Sequence, residues 1–142
     1  INTLYLASRK GCSVNTFEGS PTIAATAEKL FHSAGVNNIQ VIPGNIDHTL
    51  PEFLQTAERI DFAFLDANHR YEPTLQYFHA IIQKVHQHSV MVLDDIHYSG
   101  EMERAWRKIQ HHPSVYGTVD VYRCGLVFFD PSLNHQNHVL QF

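Results

Sequence analysis

Four short apolar runs in this sequence each end in a cluster of acids, amides or histidines. Residues 13–17 run into Glu18-Gly19-Ser20, 39–42 into Gly44-Asn45-Ile46-Asp47, 60–65 into Asp66-Ala67-Asn68-His69, and 90–93 into Asp94-Asp95-Ile96-His97. A carboxylate in the position of Glu18 can accept both hydroxyl protons of a nucleotide ribose, with Gly19 and Ser20 in the same cofactor-binding turn. A solvated acid at a strand end explains Glu18 equally well. Asn45 and Asp47 could border an adenine ring with Ile46 against its face, and an ordinary helix-capping turn would use the same residues. Asp66, Asp94 and Asp95 could meet around one hard divalent ion, magnesium, manganese or calcium, because such ions take oxygen ligands. An acid bonded to a ligand amine or to backbone amides accounts for them without a metal. His69 and His97 each lie three residues beyond the first acid of their cluster. There they can serve, with Asp94, as catalytic groups near neutral pH, or simply as hydrogen-bonding loop residues.

The elements that must position these clusters follow from the alternation of short apolar runs with longer segments of helical period. That alternation is the sequence form of strand-helix units around a parallel sheet, in which ligands bind outside the carboxyl ends of the strands. Glu18, Asn45, Asp66 and Asp94 are therefore expected along one sheet edge. The pattern predicts helices over 1–9, 20–34, 50–58, 73–87 and 101–111, with Ser20-Pro21 as a start signal and Gly35 as a C-cap. Leu75, Phe78, Ile81, Ile82 and Val85 form one apolar stripe, and Met102, Ala105, Trp106 and Ile109 another. The run 60–65, apolar apart from Asp61, reads as a strand covered on both faces. Strands at 118–122 and 126–129 are separated only by Arg123-Cys124-Gly125. So short a link holds no crossover helix, so the pair must be an antiparallel hairpin. The stretch Asn134 to His138 reads as a polar surface turn rather than a metal site.

With 142 residues, 44% of them hydrophobic, the chain has the length of one domain. A net charge of −4, with lysine and arginine scattered, gives no basic stripe for a phosphate backbone. The expected partner is a small molecule rather than nucleic acid or membrane, and a homodimer is allowed. No apolar stretch approaches the roughly 20 residues of a membrane span, and no signal-peptide layout is present, which favours a cytoplasmic protein. Cys12 and Cys124 lack metal-ligand spacing and read as reduced, buried thiols. No methionine precedes the helical pattern Leu4, Tyr5, Ala7, and an upstream segment is expected to be missing.

The segments Phe17 to Pro21, Asp61 to Tyr71 and Leu93 to His97 together resemble class I S-adenosylmethionine-dependent methyltransferases, in particular a bacterial group akin to catechol and caffeoyl-CoA O-methyltransferases. The resemblance runs through nearly the whole chain. It implies a Rossmann-like three-layer α/β sandwich, its mainly parallel sheet ending in an antiparallel hairpin. It implies that Glu18 holds the cofactor ribose, that Asn45, Ile46 and Asp47 frame adenine, and that Asp66 approaches the methionine end where no metal is used. Metal-dependent relatives have one Asp and then an Asp-Asn pair at the positions of Asp66, Asp94 and Asp95, so Asp95 departs from the pattern. The family's first strand and glycine-rich loop should precede the helix containing Leu4, and neither is in the sequence. In this fold that strand lies mid-sheet, between the strands ending at Phe17 and Leu65.

The reaction implied is in-line transfer of a sulfonium methyl to a nucleophilic oxygen, with His69 or His97 removing the proton or a metal lowering its pKa. Three other readings compete. A dinucleotide dehydrogenase would share the acid after the second strand but would not normally end in this hairpin. A metal-dependent hydrolase could use Asp66, His69, Asp94, Asp95 and His97. A non-catalytic fragment could keep the fold and have lost the cofactor loop.

Overall fold

The computed structural model describes residues 2–140 of the chain. It forms two compact units, one ending at Gln55 and one beginning at Thr56.

The first unit holds a short helix α1 (Asn2–Ala7), strand β1 (Val14–Glu18), helix α2 (Pro21–Ser33), strand β2 (Ile39–Pro43) and helix α3 (Ile46–Thr56). Strands β1 and β2 run parallel, with Val14 opposite Ile39 and Glu18 opposite Pro43. Helix α2 starts as Ser20-Pro21 dictates: the Ser20 hydroxyl accepts from the Ile23 amide, and Pro21 occupies the first turn, where its missing N–H costs nothing. Gly35 follows the helix at φ +69, the left-handed conformation a C-terminal glycine supplies. Ala24, Phe31, Leu50 and Leu54 are buried, and Phe17 meets Phe53 edge to face at 5.6 Å between ring centroids.

Helix α3 begins four residues before its expected start at residue 50. Asn45 is the reason: its side-chain oxygen accepts from the Asp47 amide and its carbonyl from His48 and Thr49. Pro51 therefore sits inside the helix.

The second unit is built on a five-stranded sheet in the order β3-β4-β6-β5-β7. These strands are β3 (Ile60–Leu65), β4 (Val85–Asp94), β5 (Gly117–Asp120), β6 (Cys124–Phe128) and β7 (Gln136–Val139). Strands β3 and β4 are parallel, whereas β6 is antiparallel to both β4 and β5, so the expected terminal hairpin is present. Helices α4 (Tyr71–Ile81) and α5 (Gly100–Gln110) pack against each other. Leu75, Phe78 and Ile81 of α4 are buried, as are Met102, Ala105, Trp106 and Ile109 of α5, together with Met91, Leu93 and Val127 of the sheet. Arg70 gives α4 no side-chain cap; Glu101 of α5 accepts from the Tyr71 amide instead, at 3.0 Å.

The helix expected to reach residue 87 ends at Ile81, and a 3-10 turn (Ile82–Lys84) leads into β4, so Val85 belongs to a strand. Ser89 fixes that change: its hydroxyl donates to the Ile60 carbonyl and accepts from the His86 amide, drawing residues 85–89 towards β3. Strand β3 is not covered on both faces, for Phe62 and Phe64 are 44% and 40% exposed. The hairpin link is Val121-Tyr122-Arg123 rather than Arg123-Cys124-Gly125, with Val121 N–H bonded to the Cys124 carbonyl. The polar stretch near the C-terminus is a strand, β7, parallel to β5, whose backbone pairs although its four side chains are exposed. No helix among the described residues is long and apolar enough to cross a membrane.

Candidate active site

The first unit places Glu18, Gly19, Ser20, Asn45, Ile46 and Asp47, but not Asp66, at the carboxyl end of β1 and β2. Glu18 is half-buried there, and one of its carboxylate oxygens accepts from the Ser20 amide at 2.8 Å. The turn beside it is tight. The Gly44 amide donates to the Glu18 carbonyl at 2.9 Å, Gly44 has φ +127, and a Cβ there would meet the Thr49 methyl at 3.0 Å. Gly19 faces the Gly44 carbonyl, at 4.0 Å from an added Cβ. Ile46 is half-buried and Asp47 exposed, both in the first turn of α3, while the Asn45 side chain caps that helix. Glu18 thus stands half-buried at the end of β1, with Ile46 in the first turn of the helix that follows β2.

The second unit brings the expected catalytic residues to the carboxyl ends of β3 and β4. Leu65 pairs with Leu93, so Asp66 and Asp94 leave adjacent parallel strands side by side. Beyond Asp66 the backbone enters the left-handed region at Asn68 (φ 61) and His69 (φ 41). This bend returns His69 Nε2 to Asp66 Oδ1, at 3.1 Å, with Asp66 half exposed. Asn68 Nδ2 hydrogen-bonds the Tyr77 hydroxyl. After β4, Asp95 is left-handed at φ 51 and Ile96 is fully buried, its amide bonded to the Arg123 carbonyl. Ile96 thus pins the loop into the core and leaves His97 at its surface.

His97 meets a residue that the sequence reading did not single out. Its Nε2 lies 2.9 Å from Asp120 Oδ2, at the end of β5, and its Nδ1 lies 3.7 Å from Glu103. Asp120 is 6% exposed, and its other oxygen accepts from the Tyr122 amide at 2.8 Å. The signal was available: Asp120 interrupts an apolar strand, and a buried carboxylate is costly unless it is paired.

Asp66, Asp94 and Asp95 do not converge. Asp66 faces His69, Asp94 accepts from the Cys124 thiol at 3.0 Å, and Asp95 pairs with Arg123 at 3.2 Å. Among the described residues no group of three or more His, Cys, Asp or Glu could hold a metal ion. The acids as arranged do not fit an oxygen-ligand cage. The cysteines are unpaired and only partly buried, not buried as expected; burial and the Asp94 carboxylate push the Cys124 thiol up to about 11.

A strand-helix fold with acids and histidines at its strand ends agrees with comparison to known proteins. The methyltransferase-domain family matches residues 3–96, so the chain belongs to that family. Its fold is similar to the O-methyltransferase from Bacillus cereus solved with SAH (TM-score 0.75, 22% identity, 89% of this chain and 68% of that one). It is also similar to the Podospora anserina methyltransferase PaMTH1 bound to SAH (TM-score 0.71, 15% identity, 83% and 61%). A third is the Streptomyces achromogenes O-methyltransferase TomG, of tomaymycin synthesis, with SAM (TM-score 0.70, 17% identity, 89% and 67%). The chain thus spans about three fifths to two thirds of the length of these proteins. No curated protein matches it.

Proposed function

We propose that this chain is the greater part of a cytoplasmic S-adenosylmethionine-dependent methyltransferase acting on a hydroxyl oxygen of a small molecule. Membership of the methyltransferase-domain family across residues 3–96 carries the reading. The similar O-methyltransferases and the polar rims of both units support it.

In this reading Glu18 accepts the ribose hydroxyls, Gly19 and Ser20 complete its turn, and Ile46 with Asn45 and Asp47 borders the adenine. Asp66 faces the methionine end, and Asp94 lines the rim beside it. When bound, S-adenosylmethionine supplies an electrophilic methyl carbon and a neutral thioether leaving group. The protein's share is orientation and a base for the acceptor's proton, worth many orders of magnitude together. The hydrolase alternative needs a metal-holding set that Asp66, His69, Asp94, Asp95 and His97 do not form as they stand.

Calorimetric titration with S-adenosylhomocysteine, on this chain and on one extended at its N-terminus, tests the proposal. Binding by the extended chain, with label transfer from S-adenosylmethionine to a small hydroxyl compound, is expected. Zinc- or manganese-dependent hydrolysis by a chain with no affinity for S-adenosylhomocysteine would replace it.

A further inference from the structure

Two histidines on the rim of the second unit each touch an aspartate, and the two pairs are physically unlike. Asp66 beside His69 has 52% of its side chain exposed, so water screens the pair. Asp120 beside His97 has 9% exposed and both oxygens in use, one on His97 Nε2 and one on the Tyr122 backbone. Tyr122 is itself left-handed at φ 70, and its ring stands 6.0 Å from the imidazole. One desolvated carboxylate therefore fixes both the ring and the turn beside it.

Resting on the methyl-transfer reading above, we propose that His97 is the base of the reaction and that Asp120 is its positioning residue. Both ring nitrogens face carboxylates, but Asp120 at 2.9 Å is within hydrogen-bond reach of Nε2 and Glu103 at 3.7 Å is beyond reach of Nδ1, so the ring proton is held on Nε2 and the lone pair is left on Nδ1. His97 takes the acceptor's hydroxyl proton at Nδ1. The freed oxygen pair forms the new bond to the methyl carbon, and the pair of the carbon–sulfur bond leaves on sulfur. The imidazolium then stands between Asp120 at 2.9 Å and Glu103 at 3.7 Å, until it returns its proton to water.

The substitution D120N tests the tautomer directly. The amide oxygen would keep the bond from the Tyr122 N–H, turning the NH2 towards Nε2. A donor there forces the ring proton onto Nδ1 and blocks the base. Long-range proton–nitrogen NMR should show His97 with its proton on Nε2 in the unaltered protein and on Nδ1 in D120N. In a chain that transfers methyl groups, D120N and H97Q should each lower kcat roughly 100-fold. In D120N the acceptor KM and the Kd for S-adenosylhomocysteine should stay within about twofold, since Asp120 touches neither substrate nor cofactor. A proton on Nδ1 in the unaltered protein, or unchanged kcat in D120N, overturns the dyad. A parallel loss of S-adenosylhomocysteine binding in both variants also overturns it, by showing a merely structural role. Failure of the unaltered, extended chain to bind S-adenosylhomocysteine or transfer methyl groups would count instead against the methyl-transfer reading.

Discussion

The Cys124 thiol donates a 3.0 Å hydrogen bond to Asp94 Oδ1 across the β4–β6 pair, where the two residues are directly opposite. Partial burial, that bond and the Asp94 charge together push the thiol up to about 11. Thiolate is the nucleophile, so at pH 8 only about one Cys124 in a thousand is in reactive form. Iodoacetamide labelling followed by peptide mass spectrometry should show Cys124 modified far more slowly than a free thiol at pH 8, rising steeply towards pH 11. Asp94→Asn removes the charge and should move that rise to lower pH. Labelling at the rate of a free thiol at pH 8 would remove Asp94 from contact with Cys124.

Next along β6, the indole of Trp106 on α5 packs directly against Gly125. A Cβ on Gly125 would stand 2.6 Å from two carbons of the indole, and Trp106 is only 3% exposed, so the ring has no free space to enter. Gly125→Ala should therefore destabilise the second unit by about 1–3 kcal/mol, the usual cost of overpacking a close-packed core. The check is the urea midpoint at constant m-value. An unshifted midpoint would mean that α5 slides away from β6 without penalty.

What the sequence disclosed and what it hid follow from the range of the interactions involved. The apolar stripe Met102, Ala105, Trp106 and Ile109 was legible because helical periodicity is local, and all four residues are buried. The terminal hairpin was legible from a link too short to cross over. The end of α4 was hidden, because Ser89 binding the Ile60 carbonyl, 29 residues away, decides it. The start of α3 was expected four residues late, because the side-chain bond from Asn45 to the Asp47 amide, which opens the helix, leaves no mark in the apolar periodicity. The acids after β3 and β4 were rightly expected side by side, but their partners, Cys124 and Arg123 among them, come from a hairpin that periodicity cannot dock.

Glu18 should be tested in a chain that binds S-adenosylhomocysteine. If Glu18 holds the ribose as proposed, removing its carboxylate leaves two hydroxyls without their acceptor, and Glu18→Ala should weaken binding by about 1–3 kcal/mol. Glu18 also accepts from the Ser20 amide, so the melting temperature must be followed alongside. An unchanged Kd would take Glu18 out of the cofactor site.

Metal dependence is the next measurement. Because the three rim aspartates are turned to three different partners, methyl transfer should persist in the presence of a chelator. Loss of activity on chelation, restored by magnesium, manganese or calcium, would mean that these carboxylates swing together around an ion.

The last expectation concerns strand edges. Within the described residues β1 pairs with β2 alone and β3 with β4 alone, so each has one side without a strand partner. Unpaired backbone groups at such an edge are satisfied by water, and an exposed edge is a template for a further strand. On β3 the exposure reaches the side chains, with Phe62 and Phe64 each about two-fifths exposed. Hydrogen exchange followed by mass spectrometry should therefore find fast exchange in peptides covering β1 and β3, against slow exchange in β6, which is paired on both sides. Slow exchange in the β1 or the β3 peptide would mean that a further strand covers that edge in solution.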